Sequence, residues 1–242
     1  MRKAIVAAIV AASAATGACG QSRSADGGPT ILRNYQVGSF NEIEVAGPYN
    51  VQVKTGSSPS ASARGPQKAI EHMVVEVRGD KLVIHPEEQH GLFHWGWHSS
   101  GKVDLAVTVP ELHAATIAGS GDINVDKVQG DRFEGTVAGS GGLGVGAMNV
   151  QSLKLAIAGS GDAKAGTGKA GSVEYEIAGS GGIDAAGIAA QDAKVSIAGS
   201  GSIKAHASGA ADVSIMGSGD VDVTGGAKCS IHKAGSGDVR CS

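Results

Sequence analysis

From His113 onward the chain repeats itself. The tripeptide Gly-Ser-Gly, usually preceded by Ile-Ala and often followed by Asp, recurs with its serine at Ser120, Ser140, Ser160, Ser180, Ser200, Ser218 and Ser236. The spacing is 20 residues four times and then 18 residues twice. Three residues before each serine stand Ile117, Val137, Ile157, Ile177, Ile197, Ile215 and finally Lys233, and, His113 excepted, apolar or small residues lie two and four positions further back. Three and five residues past the serines the alternation resumes, as in Ile123 and Val125 or Val221 and Val223. Period-two alternation is the mark of a strand with one buried face. A flexible Gly/Ser linker has no reason to hold apolar residues in register on both sides of its glycines, so the linker reading fails.

Each repeat therefore reads as strand, Gly-Ser-Gly corner, shorter strand, and a return of about seven residues, or five in the 18-residue repeats. One such coil cannot bury its own apolar face, so coils must stack, strand on strand, at about 4.8 Å. The expectation is an all-β fold: a right-handed parallel β-solenoid of about seven coils, roughly 30 to 35 Å long by that spacing. Stacked corners leave little room for Cβ groups and call for glycine. The serine between the glycines is expected to form a corner ladder, bonding to its neighbours above and below.

The cysteines check this register independently. Cys229 lies seven before Ser236 and Cys241 five after it, and both positions are inward in the earlier coils. The two are expected to pair, closing a loop of about a dozen residues and stabilising by ~3 kcal/mol in the chain-entropy model. Such a bond also pins the last coil, whose outer edge would otherwise recruit another strand. Lys233, interrupting the isoleucine ladder, fits an atypical terminal repeat.

The N-terminus carries an address. "MRKAIVAAIVAASAATGAC" has a basic start, a short apolar run and then small residues leading to Cys19, the pattern of a secretory signal peptide over 1–18. "TGAC" resembles a bacterial lipobox, which would make Cys19 the site of lipidation and the membrane a partner; cleavage by the ordinary signal peptidase after Ala14 or Ala18 is the alternative. Lipidation of Cys19 also leaves an even pair of cysteines for an oxidising compartment. Residues 19–33 read as a polar tether, 34–110 as an irregular β region with short alternating strands, and 111–242 as the solenoid, with 34–242 one continuous domain. All six prolines fall at or before Pro110. Without the signal, 18 basic residues face 23 acidic ones, about −5, with no basic stripe, which argues against a nucleic-acid surface.

"FNEIEVAGPYNVQV", "KVDLAVTVPEL" running into "IAGSGDINV", and the Gly-Ser-Gly coils occur in that order. Together they resemble the putative auto-transporter adhesin head GIN domain family over about residues 34 to 241. The resemblance implies a β-solenoid head, exported or lipid-anchored, with no established enzymatic activity, no cofactor and no binding residues to carry over.

Four corners continue with Asp122, Asp162, Asp220 and Asp238. Calcium-binding solenoids place aspartate in nearly every turn of a nine-residue repeat; here the period is twice as long and coils are skipped, so solvated corner residues are expected. Asp220 and Asp238 on consecutive coils approach the separation of a retaining glycosidase pair, but these coils offer no cleft and no stacking aromatics. One segment escapes the repeat: "HPEEQHGLFHWGWHSSG", residues 85–101, with His90, His94 and His98 at four-residue spacing beside Phe93, Trp95 and Trp97. Three readings compete there: an aromatic cap folded over the solenoid, a platform for a glycan or protein partner, and a Zn²⁺ or Cu²⁺ site on the histidines. The expectation for function is a non-enzymatic exported scaffold or adhesin-like lipoprotein of the cell envelope, with a periplasmic metal- or glycan-binding protein working through residues 85–101 as the alternative.

Overall fold

The computed structural model describes residues 28–56, 58–87 and 101–242. The signal region, Cys19 and the residues His90, Phe93, His94, Trp95, Trp97 and His98 lie outside the described residues. The N-terminal part contains Thr30–Tyr35 (β1), Glu42–Ala46 (β2), Tyr49–Thr55 (β3), Ser60–Pro66 (β4), the short helix Gln67–Glu71 (α1), Met73–Arg78 (β5), Lys81–Pro86 (β6) and Val103–Val109 (β7). The repeats form Ala114–Gly119 (β8), Asp122–Gly139 (β9), Gly142–Gly159 (β10), Asp162–Gly179 (β11), Gly182–Asp184 (β12), Ile188–Gly199 (β13), Ser202–Gly217 (β14), Asp220–Thr224 (β15), Lys228–Gly235 (β16) and Val239–Cys241 (β17).

The fold is a parallel β-solenoid. β9, β10 and β11 pair in parallel with a register shift of 20 residues, so Val137 stands on Ile157 and Ile157 on Ile177. Pairing runs through the return segments as well as the two strands beside the corner: Met148 faces Val128 and Val150 faces Ala170. The shortening to 18 residues is absorbed in the return, where the register shifts between Ala190 opposite Ala207 and Asp192 opposite Ala210.

The N-terminal region looks irregular in sequence because it supplies rungs out of chain order. β2 pairs in parallel with both β6 and β8, and β3 with both β7 and β9. Residues 42–55 are thus inserted between two coils that follow them in the chain. Ala46 stands on Ala118 and Asn50 on Asp122, which makes Gly47-Pro48-Tyr49 a corner without serine or second glycine. Beyond this, β5 lies antiparallel on β6, β4 antiparallel on β7, and β1 antiparallel on β4, with Ala69 and Ile70 of α1 buried.

One core runs the length of the stack, and its columns trade volume between rungs. Outward from Phe133 one column reads Leu153, Val173, Ala193, Ala211. The neighbouring column reads Gly135, Leu155, Tyr175, Val195, Val213. Where the first column has Phe, the second has Gly: a Cβ on Gly135 would lie 2.4 Å from Leu143 and 2.7 Å from Leu155. Where the second has Tyr175, buried alanines recur in its own coil, Ala185 and Ala190, and in the coil before it, Ala163 and Ala165. Close packing in a core this thin requires such compensation. Two hydroxyls break this pattern among the described residues, those of Tyr35 and Tyr175, both buried without a hydrogen-bond partner, and burial holds the Tyr175 pKa well above the ordinary 10.0.

The corners carry the tightest contacts. The first glycine of each Gly-Ser-Gly has φ between +129° and +138°. In Gly159, Gly179 and Gly199 a Cβ would also lie 2.3, 2.1 and 2.2 Å from the glycine carbonyl of the coil below. The ladder itself is main chain: the N–H groups of Ser140, Ser160, Ser180, Ser200, Ser218 and Ser236 donate to the glycine carbonyl one coil back at 2.9 to 3.0 Å. Corner-serine side chains point outward and are exposed. Their hydroxyls make no hydrogen bond among the described residues, so the side-chain ladder expected from the sequence is replaced by this backbone ladder.

Cys229 and Cys241 are disulfide-bonded, Cα to Cα 6.6 Å. Cys229 stands on Ala211 and Cys241 on Val223, the inward columns their spacing indicated. Lys233 stands on Ile215, and its Nζ donates to the Gly237 carbonyl at 2.7 Å, across the last corner.

Gly159→Ala should cost more than about 2 kcal/mol in chemical denaturation, combining positive φ with overlap, whereas Ser160→Ala should stay within about 0.5 kcal/mol; a serine cost equal to the glycine cost would show that hydroxyls, not backbone, hold the ladder. Tyr175→Phe should stabilise by about 1 kcal/mol by removing an unsatisfied buried hydroxyl. Because folding raises this pKa, the wild type should lose stability as pH rises above 10, where the unfolded chain releases the proton and the folded chain keeps it. Stability curves of the two proteins with the same alkaline slope would contradict this.

Candidate functional site

Parallel in-register stacking turns sequence spacing into columns of side chains on the outer faces. One column reads Glu134, Lys154, Glu174, Lys194, Asp212, alternating in sign at every rung. A second reads Lys164, Asp184, Lys204, Asp222, Arg240, alternating again. Within the first, Lys154 lies 3.5 Å from Glu174 and 3.1 Å from Glu176, and Lys194 lies 2.8 Å from Glu174. Lys194, and after it the Lys154 charge, hold the Glu174 carboxyl below its usual range; Glu176 first, then Glu174, raises Lys154. An open groove of about 380 Å³ runs over this column, between Arg132 and Lys194. Neither column was found from the sequence, although residues 20 apart with alternating charge were there to be read.

The corner aspartates occupy a third column with a different logic. It runs Asn50, Asp122, Gly142, Asp162, Gly182, Ser202, Asp220. Carboxylates in this column rarely stack directly, and two of them bond to the main chain of the next coil. Asp122 Oδ1 accepts from the Gly142 N–H at 2.8 Å, and Asp220 Oδ1 from the Asp238 N–H at 3.1 Å. Asp192 does the same for Ala210 at 3.0 Å. A Cβ on Gly142 or Gly182 would lie 3.0 Å from the aspartate below, so the neutral rungs also make room for these carboxylates. Asp220 is thereby engaged in joining coils. Among the described residues no group of three or more His, Cys, Asp or Glu side chains is placed to hold a metal ion.

The central residues of the unrepeated segment, 88–100, lie outside the described residues. The segment joins β6 to β7, which are the rungs beyond β2 and β3. β2 and β3 are joined by the Gly47-Pro48-Tyr49 corner. At the near flank of the segment His85 Nε2 lies 3.2 Å from Glu76, an interaction that, ahead of the Arg78 guanidinium, lowers the Glu76 pKa. No helix among the described residues is long and apolar enough to cross a membrane.

This arrangement of stacked Gly-Ser-Gly coils behind an interleaved N-terminal β unit matches a known family. The model of the putative auto-transporter adhesin, head GIN domain, matches residues 39–227. The chain belongs to this family. Solved structures share the head GIN fold at low identity. A putative adhesin from Bacteroides fragilis is 21% identical with a TM-score of 0.78, covering 88% of this chain and 97% of its own. A putative lipid binding protein from Parabacteroides distasonis is 23% identical with a TM-score of 0.70, covering 90% and 98%. A putative adhesin from Parabacteroides merdae is 18% identical with a TM-score of 0.68, covering 90% and 98%. At such identities these likenesses establish the fold alone. No curated protein matches the chain.

The charge column of the head GIN domain is testable. Lys154→Glu would place three carboxylates in a row on adjacent rungs, and directly opposed like charges destabilise strand pairs. The variant should melt at a lower temperature than the wild type in low salt and recover most of the difference near 1 M salt, where the screening length is about 3 Å. In the wild type, the Glu174 contribution should be present above the ordinary carboxyl value of 4.5 and fade as pH falls through its lowered value. A melting difference that ignores salt would show that the column does not act through charge.

Proposed function

We propose that the protein is a non-enzymatic scaffold of the cell envelope, held by a lipid on Cys19 and presenting its solenoid as a rigid adhesin-like rod. The observation that carries this reading is the way the described surface is committed: the outer charges form columns that pair with each other, and carboxylates at the corners bond backbone amides of the next coil. Such groups build a rod. The family description and the neighbouring folds named as adhesins support a presenting role, and the putative lipid binding protein among them is in keeping with an envelope setting. The signal pattern and the "TGAC" sequence support export and anchoring. β1, which follows the tether, lies at the end of the stack remote from β16 and β17, so an anchor there directs the far end outward.

The competing reading assigns ligand binding to residues 85–101, and one protein preparation separates the two. Expressed in a Gram-negative host, the wild type should fractionate with membranes and Cys19→Ser should move to the soluble fraction. Tryptophan emission, which reports only on Trp95 and Trp97, should stay constant when the purified protein is titrated with Zn²⁺, Cu²⁺ and a glycan panel. A soluble wild type would overturn the anchor. A saturable emission change lost in Trp95→Ala and Trp97→Ala would make the protein a binding protein working through that segment.

A further inference from the structure

The strands that lead into the Gly-Ser-Gly corners make one outer face, with β2, β8, β9, β10, β11, β13, β14 and β16 as successive rungs. Three side-chain columns cover it. Farthest from the corner is the column of Glu134, Lys154, Glu174 and Lys194. Beside it stand Thr116, Thr136, Ala156, Glu176, Ser196 and Ser214, and nearest the corner Ala118, Ala138, Ala158, Ala178, Ala198 and Met216. This last column is exposed throughout, Met216 to 70%. Two members of the charged column have capacity to spare: Glu134 stands on Lys154 but enters no ion pair among the described residues, and Lys194, although bonded to Glu174, is 65% exposed.

This face is its own complement. A two-fold axis along the strand direction, midway between the rungs of β10 and β11, reverses the order of the rungs in a second copy and makes an isologous contact. Lys154 then faces Glu174 of the second copy, and Glu134 faces Lys194, so the two underused charges meet each other. Glu176 lies over Ala156, Thr136 over Ser196, Ala158 over Ala178, and the exposed Met216 over Ala118; one rung further out Glu44 faces His232. Like charges are opposed nowhere on the face. The axis is also the one that overlaps all eight rungs, β2 to β16, whereas an axis through the β11 rung would set Glu174 against itself and Lys154 against Lys194. The other outer face fails the same test. Centred between Asp184 and Lys204, the operation would oppose Asp162 to Asp220, and centred between Lys164 and Asp184 it would oppose Asp122 to Asp220.

We propose that this face is the interface of an antiparallel side-by-side dimer, the occupant being a second copy of the chain. Eight rungs at the usual strand spacing, five residues wide, make a patch of about 38 by 17 Å, so two copies bury about 1,300 Å² in total, inside the lower range of specific interfaces. The small residues of the two columns nearer the corner let the sheets approach, and the groove of about 380 Å³ beside the charged column receives the long side chains of the partner copy. Opposed charges fix the register and penalise a shift of one rung, the part that charges commonly play at interfaces. The inference goes beyond the scaffold reading and rests on the solenoid face alone: membrane fractionation reports on the anchor and sedimentation on the pairing, so either can fail without the other.

The test is analytical ultracentrifugation of the mature protein, disulfide intact, over a range of concentrations. The wild type should sediment as a monomer–dimer equilibrium that weakens with salt. A158R puts bulk at the centre of the face and should leave a monomer. E134K and K194E each set like charges against each other at two symmetry-related places and should each dimerise about tenfold more weakly. Mixed together, these two variants should recover the affinity of the wild type as a heterodimer, because each then meets opposite charge in the other. A variant that had merely lost its fold could not do this. K169E, on the return face, is the control and should dimerise as the wild type does. Three results would overturn the proposal: a wild type that stays monomeric throughout; a dimer that A158R leaves intact, which places the contact elsewhere; or a mixture of E134K and K194E that pairs no better than either alone.

Discussion

The structure depends on how closely two backbones can stack at a corner. Adjacent strands lie about 4.8 Å apart, and at each Gly-Ser-Gly the chain turns while keeping that spacing to the coil below. The serine N–H reaches the preceding glycine carbonyl at 2.9 to 3.0 Å only because neither flanking glycine carries a Cβ. The first glycine has a second reason, its positive φ; the second has only the lack of space. Once the corner is set, the registers of both neighbouring strands are set too, because each is covalently continuous with it. All the columns, buried and exposed, inherit their alignment from this contact.

That inheritance explains why a sequence with so few aromatic residues can make an ordered core. In an ordinary globular domain, a Gly135 or an Ala163 would weaken packing at its own site. Here a residue is packed mainly against the equivalent residues one coil above and below, so volume can be moved along the axis: Phe133 with Gly135, Tyr175 with Ala163 and Ala165. On the outer faces the same rule makes charge a register device. A strand displaced by one residue would separate Lys154 from Glu174 and Asp222 from Arg240 while turning the buried columns outward. Alternation in sign therefore reinforces what the corner glycines already specify.

Much of this was readable in the sequence, and the unread parts share a cause. The repeat period, the inward positions and the Cys229 to Cys241 pairing follow from one alignment on the corner serine, because equal spacing in the chain becomes adjacency in space. The serine hydroxyls were misassigned because residue type suggests a side-chain bond, whereas the space at the corner leaves the contact to main-chain atoms. The coil formed by β2 and β3 was not recognised because its corner is Gly47-Pro48-Tyr49 and its spatial neighbours are rungs later in the chain. Local alternation showed that Glu42–Ala46 and Tyr49–Thr55 were strands but carried no information on where they insert. The alternating charges were missed because they lie on the solvent face, and a search guided by apolar residues passes over them.

The insertion of residues 42–55 between two later coils also bears on why the rod has two unlike ends. A solenoid grown strictly in chain order starts and finishes on the same kind of exposed rung. Here the first coil to appear in the chain is covered on both sides by rungs that follow it, and the end that results is continued by antiparallel strands that break the parallel repeat. The coil of residues 225–242 is shaped by a disulfide and by Lys233 in an inward column. An inward lysine opposes the addition of another identical isoleucine rung, which is a familiar protection against edge-to-edge growth.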